Sequence, residues 1–474
     1  MKHVHAFTDD VLGERDAVGV ARGIAAGEFT AAEATAAALA RIDAVNGQLA
    51  AIAVDDRERA RARAGANGFS GAFAGVPTLI KNNTDYAGLP TRQGSAAVAD
   101  RPAAAHEPFT GEFLGTGVNV VAASTLPPFG LNASTEFVDR EPTRNPWNTD
   151  VSAGASSGGS AALVAAGAVP IAHANDGGGS IRIPAAACGL VGLKPTRGRT
   201  AGLPASANAP IDLVSNGVVS RSVRDTAYFL ADLERQRRVA GLDPVGLVQG
   251  PGARRLRVAL IADSVTGQPL DTDTHRELMA AADLLEELGH RVEQVPLPVD
   301  RAYIDHFTDY WALLAFSFDR FGGKVAGPGF DRTKLDPLTR GLSRHFARRF
   351  YRLPSSIIGL KRSTAKFRRA FADYDVIVSP TLAHATPEIG YLDPAVPFGE
   401  VFDRLIRYVA FTPANNTSGT PAISVPIGRS ADGMPIGIHF SADLGEERKL
   451  LELAYELEAA RPFYRIQDAS SGDA

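Results

Sequence analysis

Residues 152–160, SAGASSGGS, place four serines and three glycines in nine positions and run directly into an apolar stretch of small side chains, AALVAAGAVPIAHA. A second turn of the same kind, NDGGGSIRIPAAACG at 175–189, follows at once. A Gly/Ser-rich linker is flexible and leads nowhere in particular. Two such turns framing a buried apolar segment instead mark backbone brought close to another group, because only residues with little or no side chain permit that approach. The framed run is also too short to cross a bilayer and is interrupted by Pro170. The chain is therefore expected to place both turns beside one site inside a soluble fold.

The rest of the composition narrows the class. With 474 residues the chain can form one large unit or two to three smaller ones. Its 45% hydrophobic and 22% charged residues are ordinary globular usage. A net charge of −4 gives no electrostatic reason to expect a nucleic acid or an anionic membrane as partner. The lone Cys188 excludes an intramolecular disulfide framework and suits a reducing compartment. The opening MKHVHAFTDDVLGERD turns acidic before any apolar region, unlike a signal peptide, so a cytoplasmic location is expected. Ten histidines show no metal-ligand spacing, and no metal or cofactor is expected.

Periodicity predicts an α/β chain. TAAEATAAALARIDAVNG opens with the capping-box pair Thr30 and Glu33, carries apolar residues at 34, 38, 42 and 45, and is expected to end at Gly47. Short apolar runs at 75–80, in GVNVVAAST, AVPIAHAN, LRVALIAD, YDVIVSPT and PAISVPIG read as strands, the first ending in Lys81. Strands alternating with helices predict a sandwich around a mixed or mainly parallel sheet with helices on both faces. The segment 301–372 stands apart: YIDHFTDYWALLAFSFDRFGG is aromatic and RHFARRFYRLPSSIIGLKRSTAKFRR is basic and amphipathic, which reads as a helical lid or as further core helices. One domain over 1–465 is expected, with N-terminal helices over about 10–65, a core over about 70–300 and 373–465, and a frayed tail at 466–474.

Several nucleophile and phosphate motifs can be tested. Gly154-Ala155-Ser156-Ser157-Gly158 fits G-x-S-x-G, but no downstream histidine has a distinctive setting. Ser363 and Lys366 fit S-x-x-K without the accompanying motifs and lie among basic residues. Gly154 and Gly159 hint at a phosphate loop, yet Ser160 and Ala161 stand where Lys and Ser/Thr should be.

One reading uses both Gly/Ser turns and the buried lysine together. GASSGGSAALVAAGAVPIAHANDGGGSIRIPA (154–185) resembles the signature of the amidase signature family nearly end to end. GVPTLIKNN, TRNPWN, CGLVGLKPTRGR and FTPANNTSGTPAISVPIG resemble its lysine strand, its flanks and its late core strand, and the nylon-oligomer (6-aminohexanoate cyclic dimer) hydrolase branch looks most similar. The resemblance implies the family's α/β fold and its Ser–cis-Ser–Lys triad. Lys81 then matches the base, Ser156 the bridging serine that relays the proton, and Ser180 the nucleophile of an acyl-enzyme mechanism. Gly177, Gly178 and Gly179 match the oxyanion turn, Ser157 a member of the triad network, and Asp176 and Arg182 a pair holding the nucleophile turn.

Physical chemistry gives each role a reason. A serine hydroxyl needs a base, and lysine serves only when neutral, which desolvation at the end of a buried strand favours. Asn82 stands where the family commonly has Asp, which removes either a stabiliser of the ammonium form or a structural hydrogen bond. Gly177 stands where a side chain is usual, and STLPPFG (124–130) departs from the family pattern with Pro128 in a glutamate's place. Cys188 reads as a small core residue. Tyr310, Trp311 and Phe316 are expected to contact substrate, which points to apolar or aryl amides, linear or cyclic oligoamides, and by the same tetrahedral intermediate esters and carbamates. A glutamine amidotransferase subunit acting in a tRNA-dependent complex is the alternative; it is disfavoured by the aromatic insertion and the absence of a basic patch for tRNA. A monomer or homodimer acting on a small-molecule amide is expected.

Overall fold

A computed structural model describes residues 3–206 and 209–469. The chain begins with three helices, α1 (Ala17–Ala26), α2 (Ala31–Leu49) and α3 (Arg57–Ala66). The capping box forms as expected: Thr30 Oγ1 accepts from Glu33 N at 3.1 Å and Glu33 Oε2 accepts from Thr30 N at 2.7 Å. The helix does not stop at Gly47, however. It runs on to Leu49, and Asn46 ends it by accepting from Ala51 N and Ile52 N at 2.8 and 3.1 Å while Ala50 turns left-handed at φ 49°. α1 is pinned from far along the chain, with Ala17 N and Val18 N each donating at 2.9 Å to the buried carboxylate of Asp225.

Two sheets carry the site. The smaller has order β1-β3-β2, from β1 (Ile52–Asp55), β2 (Pro77–Lys81) and β3 (Asn119–Ser124), with the helix α4 (Pro108–Leu114) leading into β3. β2 and β3 pair in parallel and are buried throughout, which is why they read as continuous apolar runs. A hairpin of β4 (Arg144–Asn145) and β5 (Asn148–Ser152) leads to the helix α5 (Gly158–Ala165). The larger sheet uses β6 (Ile171–Asp176), β7 (Val191–Lys194), β8 (Ser215–Ser220), β9 (Arg257–Leu260), β10 (Arg291–Gln294), β11 (Val376–Pro380), β12 (Ala422–Arg429) and β13 (Pro435–Ser441). Its order is β10-β9-β11-β13-β12-β7-β8-β6. Only β9 pairs in parallel, with β10 and with β11; every other neighbouring pair is antiparallel. The sheet is thus mixed, as expected, but mainly antiparallel rather than mainly parallel, because strands β7, β8 and β13, unmarked by periodicity, each pair antiparallel with their neighbours.

Helices cover both faces of this sheet. On one face Ile423, Val425, Ile438 and Phe440 share a core with Leu278 of α8 (Thr272–Glu287) and Leu450 of α14 (Glu447–Ala460), beside which lies α7 (Val223–Gln236). On the other face His439 meets Arg182 of α6 (Arg182–Cys188), a helix of small residues packed on β7, β12 and β13. The smaller sheet abuts the edge strand β6, with Thr78 Oγ1 donating to Ile171 O at 2.8 Å and Lys81 N to His173 Nδ1 at 3.2 Å.

The segment expected as a lid or as core is α9 (Ala302–Val325), α10 (Pro337–Arg349) and α11 (Leu353–Asp373), a helical crossover from β10 to β11. Its apolar cluster is shared with α12 (Phe398–Tyr408) and with Phe129, Leu131, Ile183 and Ala186 of the core, and α11 also packs on the short helix α13 (Pro413–Ser418). Of the tail expected to fray from 466, Ile466 is instead buried against Trp147, Val151 and Met434, and residues 470–474 lie outside the described residues. Among the described residues no helix is long and apolar enough to cross a membrane.

Candidate active site

Three element ends converge. β2 delivers Lys81 at its C-terminal end, the turn before α5 delivers Ser156 and Ser157, and the turn between β6 and α6 delivers Ser180. Lys81 is fully buried, and its Nζ lies 2.7 Å from Ser156 Oγ and 2.7 Å from Asn175 Oδ1. Burial pulls the amine down to about 7, against a smaller opposing pull from the Asp176 carboxylate. Ser157 Oγ donates to Ser180 O at 2.6 Å, so the two Gly/Ser turns are joined directly. The Ala155–Ser156 peptide bond is cis.

The first turn is glycine-rich because α5 runs hard against its neighbours: a Cβ on Gly159 would lie 2.6 Å from Thr125 N and 2.7 Å from Ala51 O. In the second turn Gly179 adopts φ +137°, and a Cβ there would lie 2.4 Å from Thr412 Oγ1. Gly177 and Gly178 have more room, with Val214 and Phe307 the nearest side chains at 3.4 and 3.5 Å.

Asp176 and Arg182 pair as expected, both fully buried, with Arg182 Nε 2.8 Å from Asp176 Oδ2 and Nη2 2.9 Å from Oδ1. The guanidinium and the hydrogen bonds to it hold the Asp176 carboxyl well below its ordinary range despite burial. Asp176 also accepts from Gly179 N at 2.7 Å and Ile181 N at 3.2 Å. This corrects one expectation: the Gly179 N–H is turned to Asp176, and the amides of the turn left without a partner among the described residues are those of Gly177, Gly178 and Ser180.

Residues after 411 complete the clamp, a role their strand-like surroundings conceal. Thr412 Oγ1 donates to Gly178 O at 2.6 Å, Asn416 Nδ2 donates to Asp176 Oδ1 at 2.8 Å and to Asp176 O at 2.9 Å, and Arg182 Nη2 donates to Asn416 Oδ1 at 2.8 Å. Asn82 turns out to be structural: its Nδ2 donates to Pro90 O at 2.8 Å, a bond no carboxylate could make, while its Oδ1 accepts from Arg92 N at 2.9 Å. Cys188 is a buried core residue, its thiol pushed up by burial. His173 is pulled down to about 3 by burial and by Lys81, so the ring is neutral. Among the described residues no cluster of His, Cys, Asp or Glu could hold a metal ion.

The three aromatic residues of α9 expected to contact substrate all make packing contacts. Tyr310 is buried, with its hydroxyl donating to Ile211 O at 2.7 Å and accepting from Ile211 N at 3.0 Å. Trp311 stacks on Phe402 at 6.0 Å, and Phe316 packs on Phe346 at 5.0 Å. Trp311 and Phe316 thus pack within the helical segment and α12, while Tyr310 ties it to the segment before β8. The α9 ring against the Gly177–Ser180 turn is Phe307, which abuts Gly178 and stacks on Tyr303 one helical turn earlier at 6.0 Å. Position along the helix separates most of them: 303, 307, 310 and 311 share one face, but 310 and 311 lie a turn further on, whereas 316 points to another side.

Fold and site together define a class, and the comparison with known families gives it a name. The family model Amidase matches residues 33–451, and the chain belongs to that family, an amide-hydrolase family. Among its relatives is the Mycobacterium leprae (strain TN) protein named "Putative amidase AmiC", 51% identical over 472 residues that cover 98% of this chain and 99% of the relative. The 6-aminohexanoate-cyclic-dimer hydrolase of Pseudomonas sp. (strain NK87) is 33% identical over 484 residues, covering 95% of each chain. A solved structure of 6-aminohexanoate cyclic dimer hydrolase with its substrate superposes with a TM-score of 0.85 at 30% identity, covering 97% of this chain and 99% of that one. A bacterial aryl acylamidase superposes with a TM-score of 0.85 at 26% identity, covering 97% of this chain and 98% of that one.

Proposed function

We propose that this amidase cleaves carboxylic amides through an acyl-enzyme on Ser180, with Ser156 as proton relay and Lys81 as base. The observation that carries the reading is the 2.7 Å contact between Lys81 Nζ and Ser156 Oγ in a fully buried setting. An amine brought down to about 7 is neutral through much of the neutral range and can accept a proton. In the forward step Ser180 Oγ attacks the amide carbon, its proton passes to Ser156 Oγ, and the Ser156 proton passes to Lys81 Nζ. The developing oxyanion is met by the free amides of Gly177, Gly178 and Ser180, each such donor being worth about 3–4 kcal/mol in related chemistry. The proton on Lys81 then returns through Ser156 to the leaving nitrogen, and water hydrolyses the acyl-enzyme by the same relay.

Phe307 against the turn favours apolar and aryl amides and linear or cyclic oligoamides; esters and carbamates pass through the same tetrahedral intermediate. Two relatives, the 6-aminohexanoate-cyclic-dimer hydrolase and the aryl acylamidase, carry names that fall within this range of amides.

The test is trapping with a fluorophosphonate followed by peptide mapping, together with kcat/KM on a chromogenic anilide as a function of pH. The label is expected on Ser180 and absent from Ser180→Ala. The acidic limb is expected near 7, where the buried amine loses its proton. Lys81→Ala should lose most of the rate and Lys81→Arg should not restore it, since guanidinium stays protonated. Near-normal turnover by Lys81→Arg, or labelling of Ser156 instead of Ser180, would overturn the assignment.

A further inference from the structure

Behind Lys81 stands a pair of side-chain amides that the triad does not use. A neutral amine has two N–H donors and one lone pair, and Lys81 Nζ meets two polar side-chain atoms, Ser156 Oγ and Asn175 Oδ1. Asn175 comes from β6, one residue before the Asp176 that anchors the nucleophile turn. Its amide is fixed from the far side by Asn83: Asn175 Nδ2 donates to Asn83 Oδ1 at 3.0 Å, and Asn83 Nδ2 donates back to Asn175 Oδ1 at 3.3 Å. This reciprocal pairing sets which end of the Asn175 amide faces the lysine, because a flipped amide would set two donors against each other. Asn83 is itself fixed to the lysine strand, its N donating to Lys81 O at 2.8 Å.

We infer that Asn175, steadied by Asn83, is the positioning residue for the lysine: its amide oxygen takes one amine N–H, which turns the lone pair toward Ser156 Oγ, and being uncharged it does so without favouring the ammonium form. The inference rests on Lys81 acting as base. A carboxylate at 175 would hold the amine in the same place but would stabilise its protonated state. The other groups around Lys81 fit this division of labour. Asp176 on β6 is committed to Arg182 of α6, His173 on β6 is neutral, and the turn before α5 offers only the hydroxyls of Ser156 and Ser157. Lys194 on β7 lies beyond Asp176 and adds no negative charge.

The test compares the pH dependence of anilide kcat/KM and of fluorophosphonate labelling in the wild-type chain, Asn175→Asp and Asn83→Asp. Asn175→Asp is isosteric and puts a carboxylate against Nζ. Its acidic limb is expected at least one pH unit higher, with at least a fivefold loss at pH 7 that recovers in alkali. Asn83→Asp keeps the oxygen that accepts from Asn175 and sets the charge one residue further away, so a smaller displacement in the same direction is expected. Because Asn83 is only half-buried, this variant decides the matter if Asn175→Asp does not fold. Limbs that superpose on the wild type, with any loss uniform across pH, would make the asparagines structural only and overturn the inference. The mapped label separates this from the underlying reading: with Ser180 labelled and the limbs unmoved, only the role of Asn175 falls; with another residue labelled, both fall.

Discussion

At the scale of single residues the second turn gives the sharpest contrast, because its glycines are not equivalent. Gly179→Ala must place a Cβ 2.4 Å from Thr412 Oγ1 in a backbone conformation at φ +137°. We expect it to destabilise the fold by roughly 3 kcal/mol and to abolish turnover. Gly177→Ala meets only Val214 at 3.4 Å, and it should stay within about 0.5 kcal/mol of the parent and keep more than half of its kcat/KM. Urea melts and anilide kinetics on the two variants check this; equal damage at both positions would show that the distinction is wrong. Candidate residues with a local pattern are legible in the sequence: Lys81 at a strand end, the serines in their glycine turns, and the Asp176–Arg182 pair that the structure forms. Asn175, Asn83, Thr412 and Asn416 are not, since an amide or hydroxyl in sequence carries no sign of a partner that is 92 or 234 positions away. Asn82 shows the same limit, its two possible meanings separable only through Pro90 and Arg92 folded against it.

At the scale of elements α9 divides along its length, Phe307 lying against the Gly177–Ser180 turn and Trp311, one turn later, packing on α12. Phe307→Ala should raise KM for a bulky anilide about tenfold relative to acetamide, the equivalent of some 1.4 kcal/mol of apolar contact. Trp311→Ala removes the ring stacked on Phe402; it should cost about 3 kcal/mol in a urea melt and leave the ratio of the two KM values unchanged. If Trp311→Ala instead changed that ratio and Phe307→Ala did not, the roles assigned to the two positions would be reversed. Elements with a strong period are readable: α2 with its cap, the buried strands β2, β3, β6 and β11, and the β9–α8–β10 unit. β7, β8 and β13 are hidden because VGLK, SNGVVS and PIGIHFS are interrupted by glycine, and the pairing of β7 depends on β12, which lies far along the chain. The end of α2 is misplaced by sequence pattern because a side chain, Asn46, closes it rather than the nearby glycine.

At the scale of the whole molecule, two fully buried lysines make stability a function of pH. Burial pulls Lys194 down to about 7, as it does Lys81, and the nearby Arg182 adds to the effect at Lys194. Between about pH 7 and 10 the unfolded chain holds protons on both that the folded chain has released, so stability rises with pH, by up to about 1.4 kcal/mol per pH unit for each lysine. Lys194→Met should remove one share of that slope in urea melts at pH 7.5, 8.5 and 9.5, and parallel lines for variant and parent would refute it. The architecture as a mixed sheet between helices follows from the alternation of patterns, whereas the predominance of antiparallel pairing does not, because strand direction is decided by connections that periodicity does not encode. The attachment of α1 to Asp225 carries a consequence in time. The amide of Ala17 finds its acceptor 208 residues downstream. At about 5–20 residues per second of synthesis, that carboxylate emerges roughly 10–40 s after the helix it anchors. For that interval α1 has left the ribosome without the carboxylate that anchors it.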